Sequence, residues 1–301
     1  MELRIKRDDI SIDTLCGLFG KSRQAYYKKV KRNYKTVVRS EIILQLIAKE
    51  RELMPDLGGR KLLFKISSKL PDDLQIGRDK FFDFLRWHNL LVRIKRHKAI
   101  TTNSNHWLRM YPNLIREFQP LGPHQLWVSD ITYVETKQGF VYLFLITDAY
   151  SRKIIGWSIS KNLKASNAVV ALKMAQSQLP VGIKDTIHHS DRGVQYCSQE
   201  YVKILKKNEF KISMTENGDP LENAIAERIN GILKTEWINK MRLKSIKDAM
   251  TQIKRIISIY NKDRPHSSIE FLTPNQAHIR TGEIKRLWKN YYKKKAELCQ
   301  T

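Results

Sequence analysis

The chain has 301 residues, 42% of them apolar, enough for two or three domains with buried cores. No uninterrupted apolar run approaches the roughly 20 residues of a membrane span, and the start MELRIKRDD lacks the apolar region of a signal peptide, so a soluble, intracellular protein with no membrane partner is expected. Net charge is +25, distributed as +13 over residues 1–120, +2 over 121–238 and +10 over 239–301, which points to polyanion-binding flanks around a nearly neutral middle.

Residues 11–32 read as a short helix, a turn at Gly20-Lys21 and a second helix with Ser22 as its N-cap, a helix-turn-helix outline. Arg23, Gln24, Tyr26, Tyr27 and Lys28 populate that second helix, and Arg23, Gln24 and Lys28 are its candidate DNA contacts. Amphipathic helices follow over 41–52, 60–70 and 78–90, where Phe81, Phe82, Phe84 and Trp87 read as core rather than base-stacking groups. Residues 93–112 are basic and polar with little periodicity, as in a linker that crosses DNA.

Strands are expected at 124–134, 140–148 and 153–160, joined by short turns into an antiparallel trio. A helix at 165–179, a strand at 185–190 ending beside Asp191, a helix at 198–208 and a strand at 211–214 come next. Pro220 then suits the first turn of a helix whose polar residues Asn223, Glu227, Asn230 and Lys234 share one stripe, opposite Ile225, Ile229, Ile232 and Leu233. A last amphipathic helix spans 245–262, with Met250, Ile253, Ile256 and Ile257 inward, before turns at Arg264-Pro265-His266 and Thr273-Pro274 and a cationic, aromatic tail.

Two carboxylates, Asp191 and Glu227, are separated by 35 residues, and a third, Asp130, lies upstream in a β-branched run. Acids are common enough for such spacing to arise by chance, and the words around each make it specific. These are Trp127-x-x-Asp130-Ile131-Thr132-Tyr133, Thr147-Asp148, Ser151-Arg152, Ile155-Gly156-Trp157, His189-Ser190-Asp191-Arg192-Gly193, Gly218-Asp219-Pro220, Asn223-Ala224 with Glu227, Tyr260-Asn261 and Arg264-Pro265-His266. With Gly59-Arg60-Lys61-Leu62 near the N-terminus, the chain resembles the OrfB-type transposases of insertion-sequence family three, in the retroviral-integrase superfamily. Glu222 departs from the aspartate that many relatives carry before the Asn-Ala pair.

The resemblance implies an α/β, ribonuclease H-like core, a mixed sheet flanked by helices, which also suits the order of strands and helices. Its expected divisions are a helix-turn-helix (1–35), a second helical DNA-binding module (36–92), a basic linker (93–120), the catalytic core (121–280) and a basic tail (281–301). The implied activity is that of a DDE transposase, which cuts a strand at the element end and joins the exposed 3′-hydroxyl to other DNA.

Three gathered carboxylates need cations to balance them, and two hard ions, Mg²⁺ or alternatively Mn²⁺, suit oxygen ligands and in-line phosphoryl transfer. Asp130 is expected to bridge both ions, with Asp191 and Glu227 each holding one. Lys234 is placed to take a DNA phosphate, and Asn223 to orient a nucleotide or a metal-bound water. Expected partners are double-stranded DNA, as terminal inverted repeats and target, a second copy of the chain, and an upstream reading frame supplied as a fusion or separately. The expected location is the nucleoid of a bacterial cytoplasm.

Competing functions are a DNA-binding regulator without chemistry and a ribonuclease H-like nuclease that only hydrolyses. His188 and His189 lack a matching zinc-ligand set, Cys16, Cys197 and Cys299 read as reduced thiols, and Asp148 reads as a sheet-end residue. His266 either meets DNA or caps a turn.

Overall fold

The computed structural model describes residues 11–92, 108–216, 222–285 and 287. The features expected of residues 1–10, the basic stretch 93–107, Gly218-Asp219-Pro220 and the tail from Trp288 onward lie outside them.

Ser11 caps helix α1 (Ile12–Leu18) by accepting from the Thr14 amide, and Ser22 caps α2 (Arg23–Leu53) through the Ala25 amide. Two helices were expected between 22 and 52, yet α2 is one helix of 31 residues, and the expected boundary at 35/36 falls inside it. The reason is local. Residues 33–40 contain Thr36, Val37 and Val38, which lower helix propensity, but no glycine or proline to stop it.

Helices α3 (Gly59–Ser67) and α4 (Arg78–Trp87) follow. Phe81 is buried and Phe82 and Phe84 are half-buried. Trp87, however, is 85% exposed, because six residues past Phe81 it falls on the outer face of α4.

The sheet has five strands: β1 (Leu126–Thr136), β2 (Gly139–Asp148), β3 (Ile154–Ser160), β4 (Ile187–Ser190) and β5 (Lys211–Met214). Their order is β3-β2-β1-β4-β5, with β1, β2 and β3 mutually antiparallel and β4 and β5 parallel to β1. This is the mixed, ribonuclease H-like sheet. Alternation divides β2 between two cores: Phe144 and Ile146 face α5 (Ala165–Gln176), α6 (Val194–Cys197) and α7 (Gln199–Lys207), while Leu143 and Leu145 face the opposite side.

That opposite side is covered by α8 (Ala224–Glu236) and α9 (Ile246–Asp263), which precede the short α10 (Pro274–Ala277). Ile253, Ile256 and Ile257 of α9 are buried as expected, whereas Met250 turns to the surface and Ala249 and Tyr260 complete the inner stripe. The N-terminal helices reach the same core, since Ile43, Ile47, Leu62, Ile66, Phe81 and Leu85 cluster with Leu143, Leu145 and the apolar faces of α8 and α9. Directional contacts fix the junction: the Trp237 indole donates to Leu53 O at 2.8 Å, the Lys65 ammonium to Asp263 O at 3.2 Å, and the Phe64 and Phe271 rings stack at 4.9 Å. Residues 36–92 thus pack into a core common with the sheet.

Gly156 shows why β3 can lie so close to α5. A Cβ there would stand 2.2 Å from Ala171 O and 2.9 Å from Ala175 Cβ. Gly156→Val is expected to lower unfolding stability by about 3 kcal/mol or more, since backbone must move to admit it. Urea denaturation reads this, and a loss below about 1 kcal/mol contradicts so close a contact.

Candidate active site

Asp130 and Asp191 come together through strand register. Ser129 of β1 pairs with Ser190 at the end of β4, and in a parallel pair the residues that follow also lie side by side on one face. Asp130 Oδ1 accepts from the Ile131 amide and Oδ2 from Asn230 Nδ2, both at 2.8 Å, so α8 holds the carboxylate of β1 in place. Asp191 Oδ1 accepts from the Gly193 amide at 3.0 Å, and a Cβ on Gly193 would stand 3.0 Å from that oxygen. The two carboxylates line a cleft of about 480 Å³ with a wall that includes Tyr133, Phe140 and Tyr142.

Asp130 keeps a little surface contact but lies deep among protein atoms. Burial, with the charges of Asp191 and Glu227, pushes its carboxyl up to about 7 against the opposing hydrogen bond from Asn230. The folded chain therefore binds this proton more tightly than the unfolded chain does, and metal-free stability falls as pH rises from about 4 to about 7. In EDTA, Asp130→Asn should melt above wild type at about pH 8, with the gap closing near pH 4, and a divalent cation should stabilise wild type alone. An offset that does not change with pH would refute the strain assigned to this carboxylate.

Glu227 sits in the first turn of α8, exposed, and reaches Asp130 through its charge without lining the cleft. Among the described residues, no group of three or more His, Cys, Asp or Glu is close enough to hold one metal ion. The geometry gathers two of the three expected carboxylates and leaves the third on the adjoining helix face. Lys234, two turns along, is half-buried with its ammonium 3.8 Å from the centre of the Tyr133 ring. Burial pulls its pKa down while Asp130 opposes this.

Comparison with known proteins decides the family. The family model described as "Integrase core domain" matches residues 120–220, and a second of the same description matches 208–274. The chain is 34% identical over 266 residues to the insertion element IS600 uncharacterized 31 kDa protein of Shigella sonnei, covering 86% of this chain and 96% of that protein. It is 35% identical over 196 residues to transposase InsF for insertion sequence IS3A of Escherichia coli K12, covering 64% and 67% respectively. This chain belongs to the IS3-type DDE transposases. Among solved structures, the HTLV-2 integrase catalytic core in complex with magnesium is 21% identical with a TM-score of 0.42, over 53% of this chain and 99% of that one.

Other expected site residues of the transposase fall elsewhere. Asn223 is buried, its Nδ2 donating to Ser129 O at 3.0 Å, so it braces the start of α8 on β1. Arg23, Gln24 and Lys28 are exposed on the first turns of α2, Arg23 beside Asp13 at 3.9 Å. Asn230, on the polar stripe of α8 and without a role expected from the sequence, donates to Asp130. The stripe itself was the available signal.

The remaining polar candidates are structural. His188 Nε2 meets Ser129 Oγ at 2.7 Å and Tyr201 Oη at 2.9 Å, and burial pulls it down to about 3. His189 pairs with Ser213 Oγ at 2.8 Å and is pulled down by burial to about 4, so both rings are neutral core groups. Asp148 accepts from the His124 and Ser151 amides at the end of β2, as a sheet-end residue would. His266 is buried, its ring accepting from Arg264 Nη1 at 2.8 Å, and it caps a turn as expected, its carbonyl accepting from the Ile269 amide at 3.2 Å at the start of the 3-10 turn Ser267–Ile269.

Proposed function

We propose that Asp130, Asp191 and Glu227 hold two divalent cations, Mg²⁺ or alternatively Mn²⁺, in the transposase's strand-cutting and strand-joining reaction. The observation that carries this reading is the side-by-side placement of Asp130 and Asp191 at one end of a parallel strand pair, where burial first, then the charge of Asp191 and last that of Glu227, raise Asp130 to about 7. The donors suit such ions: they are hard anionic oxygens in mutual repulsion, and the side-chain oxygen of Asn230, beside Asp130, is buried without a hydrogen-bond partner. Bound cations would supply positive charge at the attacking and leaving oxygens of an in-line displacement.

The chain's own residues do the positioning. Asn230 fixes the Oδ2 edge of Asp130, Asn223 locks the start of α8 against β1, and Lys234 stands ready above Tyr133 for a DNA phosphate. In the first step water attacks phosphorus at the element end and the bond to the 3′-oxygen breaks. In the second, that 3′-oxygen attacks a phosphodiester of other DNA and displaces its 3′-oxygen. Arg23, Gln24 and Lys28 on α2 read the terminal repeat, with residues up to 92 and the basic stretch 93–120 adding affinity for the DNA. Two element ends require at least two copies of the chain, with an upstream reading frame as a further partner. Among the described residues no helix is long and apolar enough to cross a membrane, and we place the work on the nucleoid of the cytoplasm.

The test is cleavage and joining on duplexes copied from inverted repeats flanking the gene, with Mg²⁺ or EDTA. Joined products that vanish with EDTA are expected. Cleavage without joining would indicate a hydrolytic nuclease, and tight binding without products would indicate a regulator.

A further inference from the structure

Two of the words that mark the sequence, Gly59-Arg60-Lys61-Leu62 and Arg264-Pro265-His266, have no part in the carboxylate site. The fold brings them together. A cavity of about 570 Å³ lies where α3, the turn after β2, α8 and the end of α9 meet, and its wall contains Lys61, Arg152, Arg228, Arg264 and His266. We propose that this cavity binds a backbone phosphate of the DNA on which the transposase acts, with Lys61 and Arg228 as the direct donors.

The charges in the wall are unequal in what they can still do. Arg264 is 0% exposed and committed, its Nε and Nη2 donating to Glu236 Oε2 and Oε1 at 2.7 and 2.6 Å. That pairing uses both oxygens of the carboxylate that answers the cluster. The side chains of Lys61 and Arg228 make no hydrogen bond or ion pair with any described residue, and both line the cavity. The wall therefore carries cations with donors unspent, the condition that a phosphate's oxygens satisfy.

Mutual repulsion within the cavity supports the same conclusion. Burial, then Arg264 and Arg228, lower the Lys61 ammonium to about 8 despite Glu236. His266 is driven well down by burial and by Arg264, Lys61, Arg152 and Arg228, so it adds no charge of its own. An anion in the cavity relieves this repulsion.

DNA is the anion that the position favours. Arg228 follows Glu227 directly, about 100° further round α8, so a strand led to the carboxylates passes the mouth of this cavity. The site rests on the reading of the protein as acting on DNA. It extends that reading by adding a phosphate contact on the face of α8 turned away from Lys234.

The experiment titrates an element-end duplex in EDTA, where no chemistry intervenes, over a range of NaCl and pH. Removing a phosphate-contacting cation lowers the slope of log affinity against log salt by about 1. The double variant K61Q/R228Q should therefore lose about 2 from that slope while melting no lower than wild type, because like charges have been removed. Wild-type affinity should fall as pH rises through about 8, where Lys61 gives up its proton. K61R should keep the wild-type salt slope and lose that pH dependence, since arginine stays charged. A double variant that melts like wild type and keeps the wild-type slope overturns the site while leaving the carboxylate chemistry standing. A wild-type protein that binds no duplex at any salt sinks the DNA reading and this site together.

Discussion

Glu227→Gln should abolish cleavage and joining while leaving element-end binding within experimental error of wild type. The substitution keeps the size of the side chain and its place in the first turn of α8, where the backbone amide still donates to Asn223 O at 3.1 Å. Because the side chain is exposed, little packing is at stake, and stability should move by no more than about 0.5 kcal/mol. On the proposed metal binding, what is lost is one anionic oxygen ligand. Charge stabilisation by a bound cation is worth several kcal/mol, so the rate should fall by about 10³-fold or more. The proper readout is a joining assay beside a binding titration on the same duplex, with the melting temperature as a check on folding. Full activity in the variant would remove Glu227 from the site and leave Asp130 and Asp191 to act with another group.

The largest expected effect on stability lies at Glu236. Its carboxylate accepts from Nε and Nη2 of the buried Arg264 guanidinium, and Arg264 lies among Lys61 and Arg228 with no other ion pair among the described residues. Glu236→Ala would strand a buried cation among cations, a loss of about 3–5 kcal/mol. Replacing both partners by apolar residues of similar volume should recover much of it, because desolvation of the pair largely offsets its attraction. Urea unfolding of Glu236→Ala and of Glu236→Leu with Arg264→Met separates the two terms. A single variant as stable as wild type would mean that water reaches Arg264.

Much of this architecture was legible beforehand. Strands β1 and β2 ended within two residues of expectation because both are runs rich in β-branched and aromatic residues and Lys137-Gln138 is a short polar break before Gly139, whose φ is +106°. The polar stripe of α8 was legible from spacing alone. What spacing could not supply was register: that Ser129 pairs with Ser190, and so that Asp130 meets Asp191, is a fact of chain pairing that the words around each acid signalled only by resemblance.

Long-range partners were the other blind spot. Glu236 and Arg264 look like ordinary surface charges, 28 residues apart, until the fold buries both. For Asn223, the stripe alone does not show that the start of α8 is pressed onto β1, where its amide donates to Ser129 O. The continuous α2 was missed for an energetic reason. Its β-branched middle lowers helix propensity by only a few tenths of a kcal/mol per residue, too little to break a helix that is held elsewhere, as α2 is at Ile43 and Ile47.

That same helix sets a distance. Between Arg23, where α2 begins beside α1, and Ile43, where it enters the common core, the chain rises about 30 Å without a break. One turn of duplex is about 34–36 Å. DNA bound as proposed at the start of α2 would therefore be held nearly one turn of the double helix from the point where α2 joins the core. A deletion of two residues within the exposed stretch would rotate that grip by about 200° as well as shorten it, so α2 fixes phase as firmly as reach.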